Sequence, residues 1–260
     1  MTNKLLVLAC TLAPLAFAQV PAPNAAGVSM GHLHIKSRDV AAQRKLWIDV
    51  LGGRPGKLGP MESAKFPGVI VLYQQGEPDG GTVGSVVNHL GFCVRDLQDV
   101  LAKARAAGIR IEGETKTNAF IMGPDEIKIE LMADPKLAGP AAHHHVHFFD
   151  TAVDDTKAWY VKTFGAAPGR RAQFEAADVP GANLTFTLSP AGATVGTKGR
   201  ALDHIGFEVK NLEAFTKKLE AAGVKFDVPY KNVPALGIAV AFLTDPFGTY
   251  VELTEGLDKL

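Results

Sequence analysis

Eight histidines occur in the 260-residue chain, and four of them fall within five consecutive positions, at His143, His144, His145 and His147 of "HHHVHFFD". Imidazoles at that density act as metal ligands, as proton carriers, or as no more than an exposed polar tract. On a strand, side chains alternate between faces, so His145 and His147 share one. The same spacing recurs at His32 and His34 in "HLHIKS". Two more histidines begin apolar strand patterns, His89 in "NHLGFCV" and His204 in "DHIGFEV". Two carboxylates interrupt apolar runs, Glu130 in "IKIELM" and Glu252 in "YVELT". Two imidazoles and one carboxylate carry a single negative charge and leave positions free on a divalent cation, which is the pattern of a catalytic site rather than a closed structural one.

These residue types recur because the chain repeats itself. A shift of 113 residues lays "HLHIKSRDV" on "HVHFFDTAV" and "LGGRPGK" on "FGAAPGR", so that His32 meets His145 and His34 meets His147. Farther on, with small insertions, "NHLGFCVRDL" meets "DHIGFEVKNL" and "GPDEIKIELM" meets "DPFGTYVELT", aligning His89 with His204 and Glu130 with Glu252. A repeat of this kind decides the architecture before any local pattern does. Each copy divides again. A first strand is followed by a helix such as "DVAAQRKLWIDVLG" or "DLQDVLAKARAAG" and then by short strands, which gives βαβββ units. Leu97, Val100, Leu101 and Ala104 recur at helical spacing and predict one face packed on a sheet. The copies span residues 28–135 and 143–257, joined by a Pro/Gly/Ala-rich linker at 136–142.

A single histidine on a core-facing strand is more often a hydrogen-bonded structural residue than a ligand. The recurrence of the same His, His and Glu in both copies weighs against that reading. Glu62 and Glu175 also coincide under the shift and read as surface carboxylates.

Four βαβββ units, with a histidine on each first strand and the "KIEL" or "YVEL" glutamate on the last, resemble the vicinal oxygen chelate superfamily of glyoxalases, bleomycin-resistance proteins and extradiol dioxygenases. The resemblance covers Gly31 to Glu255. It implies an α+β fold of two tandem domains, each a curved mixed sheet cupping a divalent metal that holds a small-molecule substrate through adjacent oxygens. The metal set is then His145, His204 and Glu252 in the second copy, the stronger site because it is more aromatic, and His32, His89 and Glu130 in the first. Fe, Zn, Mn and Ni all accept these donors. Whether the units pair within a copy or across copies is left open. His145 aligns with the first-strand ligand. His147 and His34, two residues beyond the aligned positions, are candidates for supporting a ligand or for acid/base work, while His143 and His144 precede the strand. A glyoxalase I of the family pattern has a further glutamate on the last strand of the first unit; Val71 and Leu184 stand there, with no carboxylate two residues to either side. Three functions fit: a metal-dependent enzyme of lyase or dioxygenase type, a metal-free binder of bleomycin-resistance type, and a vestigial interaction module. For a dioxygenase the resemblance implies acid/base histidines beyond the ligands, and none lies between His147 and His204 or after His204.

Composition removes other classes. Lys and Arg balance Asp and Glu, so there is no basic field for nucleic acid. The opening "MTNKLLVLACTLAPLAFAQ" has a cationic start, an apolar run and a small-x-small pattern at Ala16–Ala18, which describes a signal peptide over residues 1–18. A periplasmic or secreted protein follows, with no membrane span and with Cys93 as its only mature cysteine, acting as a monomer or a homodimer.

Overall fold

The computed structural model describes residues 20–259, so the expected signal peptide and its Cys10 lie outside the described residues. The four expected βαβββ units are present. The first comprises β1 (Val28–Ser37), α1 (Val40–Arg44, prolonged by a π-helical turn over Lys45–Val50), β2 (Arg54–Leu58), β3 (Met61–Phe66) and β4 (Val69–Gln75). The second runs through β5 (Val87–Val94), α2 (Leu97–Ala106), β6 (Arg110–Glu114), β7 (Asn118–Gly123) and β8 (Ile127–Ala133). The third holds β9 (Ala141–Asp150), α3 (Val153–Phe164), β10 (Ala167–Arg171), β11 (Phe174–Val179) and β12 (Ala182–Leu188). The fourth holds β13 (Leu202–Val209), α4 (Leu212–Ala221), β14 (Val228–Val233), β15 (Ile238–Thr244) and β16 (Tyr250–Glu255). No described helix is long and apolar enough to cross a membrane.

Local chemistry starts the helices where expected. Asp39 and Asp96 cap α1 and α2, their carboxylates accepting from Ala42 N–H at 2.9 Å and Asp99 N–H at 3.0 Å. Leu97, Val100, Leu101 and Ala104 are the buried face of α2.

Pairing between units is where the structure decides an open question. One sheet has the order β14-β15-β16-β13-β1-β4-β3-β2 and the other β10-β11-β12-β9-β5-β8-β7-β6. Each sheet therefore joins one unit from each copy: the outer two units make the first sheet, the inner two the second. The central strands run antiparallel, β1 against β13 with His34 opposite His204, and β9 against β5 with His147 opposite His89. Connectivity accounts for the choice. The short linker after β8 returns the chain beside its own unit, so β9 adds to β5. The two segments that cross between sheets run side by side, with Ala201 N–H donating to Gly80 O at 2.9 Å and Val86 N–H to Val195 O at 2.9 Å.

Strand alternation then divides the faces. Leu33 and Ile35 of β1, Val71 of β4, Val251 and Leu253 of β16, and the matching Leu90, Phe92, Val146 and Phe148 of the second sheet enter one continuous core beneath the helices. Each such side chain contributes roughly 1.5–3 kcal/mol on burial. The histidines occupy the opposite faces. On the first sheet that face carries a second apolar cluster, including Leu58, Ile70, Leu72, Ile238 and Val240.

Candidate metal centres

In the first sheet, β1 supplies His32 and His34, β13 supplies His204 and β16 supplies Glu252. All four are buried, and one ligand-type atom from each lies within 4.8 Å of the others. His32 Nε2 and His204 Nε2 meet the same carboxylate oxygen, Glu252 Oε2, at 3.0 and 2.9 Å. His204 Nδ1–H donates to Asp203 Oδ1 at 2.6 Å, and Asp203 is itself held by Gly199 N–H at 2.7 Å. A carboxylate can only accept, so this bond fixes the proton on Nδ1 and turns Nε2 toward the centre.

In the second sheet, β5 supplies His89, β8 supplies Glu130, and β9 supplies His145 and His147. His89 Nε2 lies 3.3 Å and His145 Nε2 3.2 Å from Glu130 Oε2. His89, His145 and His147 also form a buried cluster with ligand-type atoms within 4.8 Å of one another. The neighbour of His89 is an amide, Asn88, whose Oδ1 accepts from Nδ1 at 2.9 Å. Asn118 Nδ2 donates to Glu130 Oε1 at 2.6 Å. His147 is tied at both nitrogens, 3.2 Å from His89 Nε2 and 2.7 Å from Thr187 Oγ1.

The grouping of His145 with His204 and Glu252 is therefore corrected. His145 completes the centre of His89 and Glu130, and His32 completes that of His204 and Glu252, because central strands from different copies are paired. The ranking of the second copy as the stronger site falls with that grouping, since neither copy owns a centre. His143 and His144 also differ from expectation: β9 begins at Ala141 and includes both. His143 N–H donates to Pro67 O at 3.1 Å and its Nδ1 contacts Gly181 O at 3.0 Å, which extends the strand backward. His144 Nδ1 lies 2.9 Å from His145 Nδ1. Glu62 and Glu175 pair with Arg44 and Lys157 at 3.3 and 2.6 Å and join neither centre.

Two features escaped the sequence reading. His32 lies against Gly206, and His145 against Gly91; a Cβ on either glycine would come within 2.1 Å of the imidazole. The glycine two residues after the histidine in "DHIGF" and "NHLGF" was the available signal. The second is the preceding residue, Asp203 in one centre and Asn88 in the other.

Electrostatics separate the centres. Burial lowers the basicity of His204, but the bonds to Asp203 and Glu252 outweigh it and raise the pKa to about 8. Burial lowers His89, and no charged carboxylate stands in place of Asn88 to reverse it. Burial, reinforced by neighbouring imidazoles, takes His34 and His147 down to about 3. Burial works to raise Glu252 and Glu130, yet the histidines hold both carboxyls far below the usual carboxylate range. The Glu252 side chain is 10% exposed and that of Glu130 19%, so the first centre is the drier.

The fourth position of a glyoxalase I pattern is also re-placed. In the parallel pair of β1 and β4, His34 stands beside Leu72 and Lys36 beside Gln74, while Val71 stands beside Leu33 and faces the core. In the second sheet His147 stands beside Thr185, and Leu184 faces the core. The correct neighbours are one residue from those expected, because the parallel register sets the face. They still include no carboxylate. Over the first centre lies a cavity of about 300 Å³, walled by Leu58, Leu72, Leu236, Ile238 and Phe242, with Gln74 at its edge. At the second, Phe149 and Phe174 flank His147 with ring centroids 5.1 and 5.2 Å away, and a groove of about 680 Å³ includes Phe174 and Thr187. Among the other aromatic residues of the second copy, Phe148, Tyr160 and Phe186 are buried.

The donors suit a divalent cation. Nitrogen and oxygen ligands converge with their hydrogen-bonding capacity turned on one another, and a buried His34 Nε2 has no hydrogen-bond partner at all.

Residues 142–253 match the family model of the Glyoxalase/Bleomycin resistance protein/Dioxygenase superfamily. Glyoxalase I from Zea mays is similar in structure, with a TM-score of 0.68 at 16% identity over 89% of this chain and 94% of its own. A putative dioxygenase from Bacillus subtilis has a TM-score of 0.66 at 12% identity, covering 87% of this chain and 84% of its own. At such identities the likeness speaks for the fold alone. No curated protein matches the sequence. With its duplicated βαβββ units and two mixed eight-stranded sheets, the chain has the fold of these structures in a tandem two-domain form, and its second half, residues 142–253, matches the glyoxalase/bleomycin resistance protein/dioxygenase superfamily.

Proposed function

We propose that this chain is a metal-dependent enzyme, with lyase-like or dioxygenase-like chemistry, acting on a small oxygen-rich molecule held through two adjacent oxygens. The observation that carries the reading is the meeting of His32 and His204 on one oxygen of Glu252, at 3.0 and 2.9 Å, beneath an apolar cavity of about 300 Å³. His32, His204 and Glu252 would hold the ion there; His145, His89 and Glu130 would hold one in the second sheet. Bound at such a centre, Fe, Zn, Mn or Ni supplies Lewis acidity toward the substrate oxygens.

The chain's own residues do the rest. Asp203 holds His204 in the tautomer that frees Nε2 once its proton is displaced. The walls of Leu72, Leu236 and Phe242 exclude water and strengthen electrostatic interactions inside. Leu72 and Gln74 supply no carboxylate to carry a proton between substrate carbons. Efficient conversion of the glutathione hemithioacetal of methylglyoxal is therefore not expected, and robust turnover lost on Glu252→Gln would overturn that statement.

Metal analysis of the purified chain tests the reading. Two equivalents of divalent metal are expected, falling to one in His204→Ala. A chain that neither carries nor takes up Fe, Zn, Mn or Ni would favour the alternative, a metal-free small-molecule binder. Export with cleavage after Ala18 is proposed alongside, on the order Lys4, apolar run and Ala16–Ala18; a cell-envelope protein retaining Met1, or carrying a diacylglyceryl Cys10, by mass spectrometry would contradict it.

A further inference from the structure

We propose that His34 is a fourth protein ligand of the first centre, making it a three-histidine, one-glutamate site. This rests on the metal reading above. Three observations carry it. His34 stands directly opposite His204 in the β1–β13 register, with ring centroids 4.4 Å apart. A ligand-type nitrogen of His34 lies within 4.8 Å of a ring nitrogen of His32, a ring nitrogen of His204 and a carboxylate oxygen of Glu252. Its Nε2 is buried and has no partner, which is costly for an imidazole nitrogen unless something absent from the protein's own hydrogen bonds engages it.

The corresponding residue of the second sheet makes the contrast. His147 Nε2 is occupied by Thr187 Oγ1 at 2.7 Å. Under the repeat Gln74 takes the place of Thr187, and it makes no such bond to His34. The residue opposite His34 on β4 is Leu72, which cannot ligate. The imidazole from β1 thus stands in for the carboxylate that β4 lacks.

The assignment narrows the reaction. An ion that takes six ligands would keep two positions beside the four protein ligands, enough for one molecule binding through two adjacent oxygens and not for dioxygen as well. Chemistry at the first centre is then of the lyase or isomerase kind, on a chelating substrate such as a hydroxy-carbonyl compound.

Affinity alone does not test this, because removing a residue that merely orients a ligand also weakens metal binding about 10–100-fold. Counting imidazoles does. The full chain carrying His89→Ala, which disables the second centre, is loaded with one equivalent of Zn(II) and the histidines bound to it are counted by X-ray absorption. Three are expected, falling to two when His34→Ala is added. Two with His34 intact would overturn the proposal, and since that measurement leaves His34 unchanged it decides the matter even if His34→Ala fails to fold. Failure of the underlying reading looks different: Zn(II) uptake unaffected by adding His204→Ala would remove the centre altogether.

Discussion

The imidazole of His32 lies against Gly206, so close that a Cβ at position 206 would sit 2.1 Å from its Cε1 and Nδ1. The two residues are also register partners across β1 and β13. A side chain there cannot coexist with His32 in its present place. Gly206→Ala is expected to cost about 1–3 kcal/mol by overpacking and to abolish metal binding at the first centre alone. Gly91→Ala should do the same to the second through His145. Metal content by mass spectrometry, with thermal melts to confirm folding, checks both; full metal content in Gly206→Ala would show that His32 is not a ligand.

The pairing of sheets across copies predicts how substitutions combine. His32→Ala with His204→Ala should remove one equivalent of metal, as each single change does. His145→Ala with His204→Ala should remove two. The opposite pattern would mean that each copy closes its own centre in solution.

Asp203 and Asn88 occupy the same place behind the two second-strand histidines, one charged and one neutral. Asp203→Asn should weaken metal binding at the first centre by about 10–100-fold and leave the second unchanged. Competition with a chelator of known affinity measures this, and an unchanged constant would dissociate Asp203 from the centre.

Glu208, on β13 but outside both centres, accepts from Gly256 and Leu257 N–H with Oε1, while its buried Oε2 is unpartnered. Burial, only partly offset by those bonds, pushes its carboxyl up to about 7 from an ordinary 4.5. The folded chain thus holds a proton that the unfolded chain has already released between those values. Stability from this group is fully present below pH 4.5 and is lost as pH rises through 7, by about 3 kcal/mol. Glu208→Gln keeps the accepting oxygen and removes the titration. Its melting temperature should fall less than the parent's from pH 4.5 to 7.5; parallel curves would refute the assignment.

The repeat, the βαβββ order and the eight residues around the two centres were legible in the sequence because they are local and periodic. Alternation puts His32 with His34 and His145 with His147, and the apolar runs around Glu130 and Glu252 mark strands. What the sequence could not contain is which strand pairs with which. "HLHI" and "HVHF" are near copies, as are "NHLGF" and "DHIGF", so by pattern β1 fits beside either β5 or β13. The tertiary structure decided it, through a linker short enough to lay β9 on β5 and two crossings that hydrogen-bond to each other. The place of Leu72 rather than Val71 beside His34 was hidden for the same reason: a slip of one residue in a parallel register exchanges the faces of a strand, and only the folded pair sets that register.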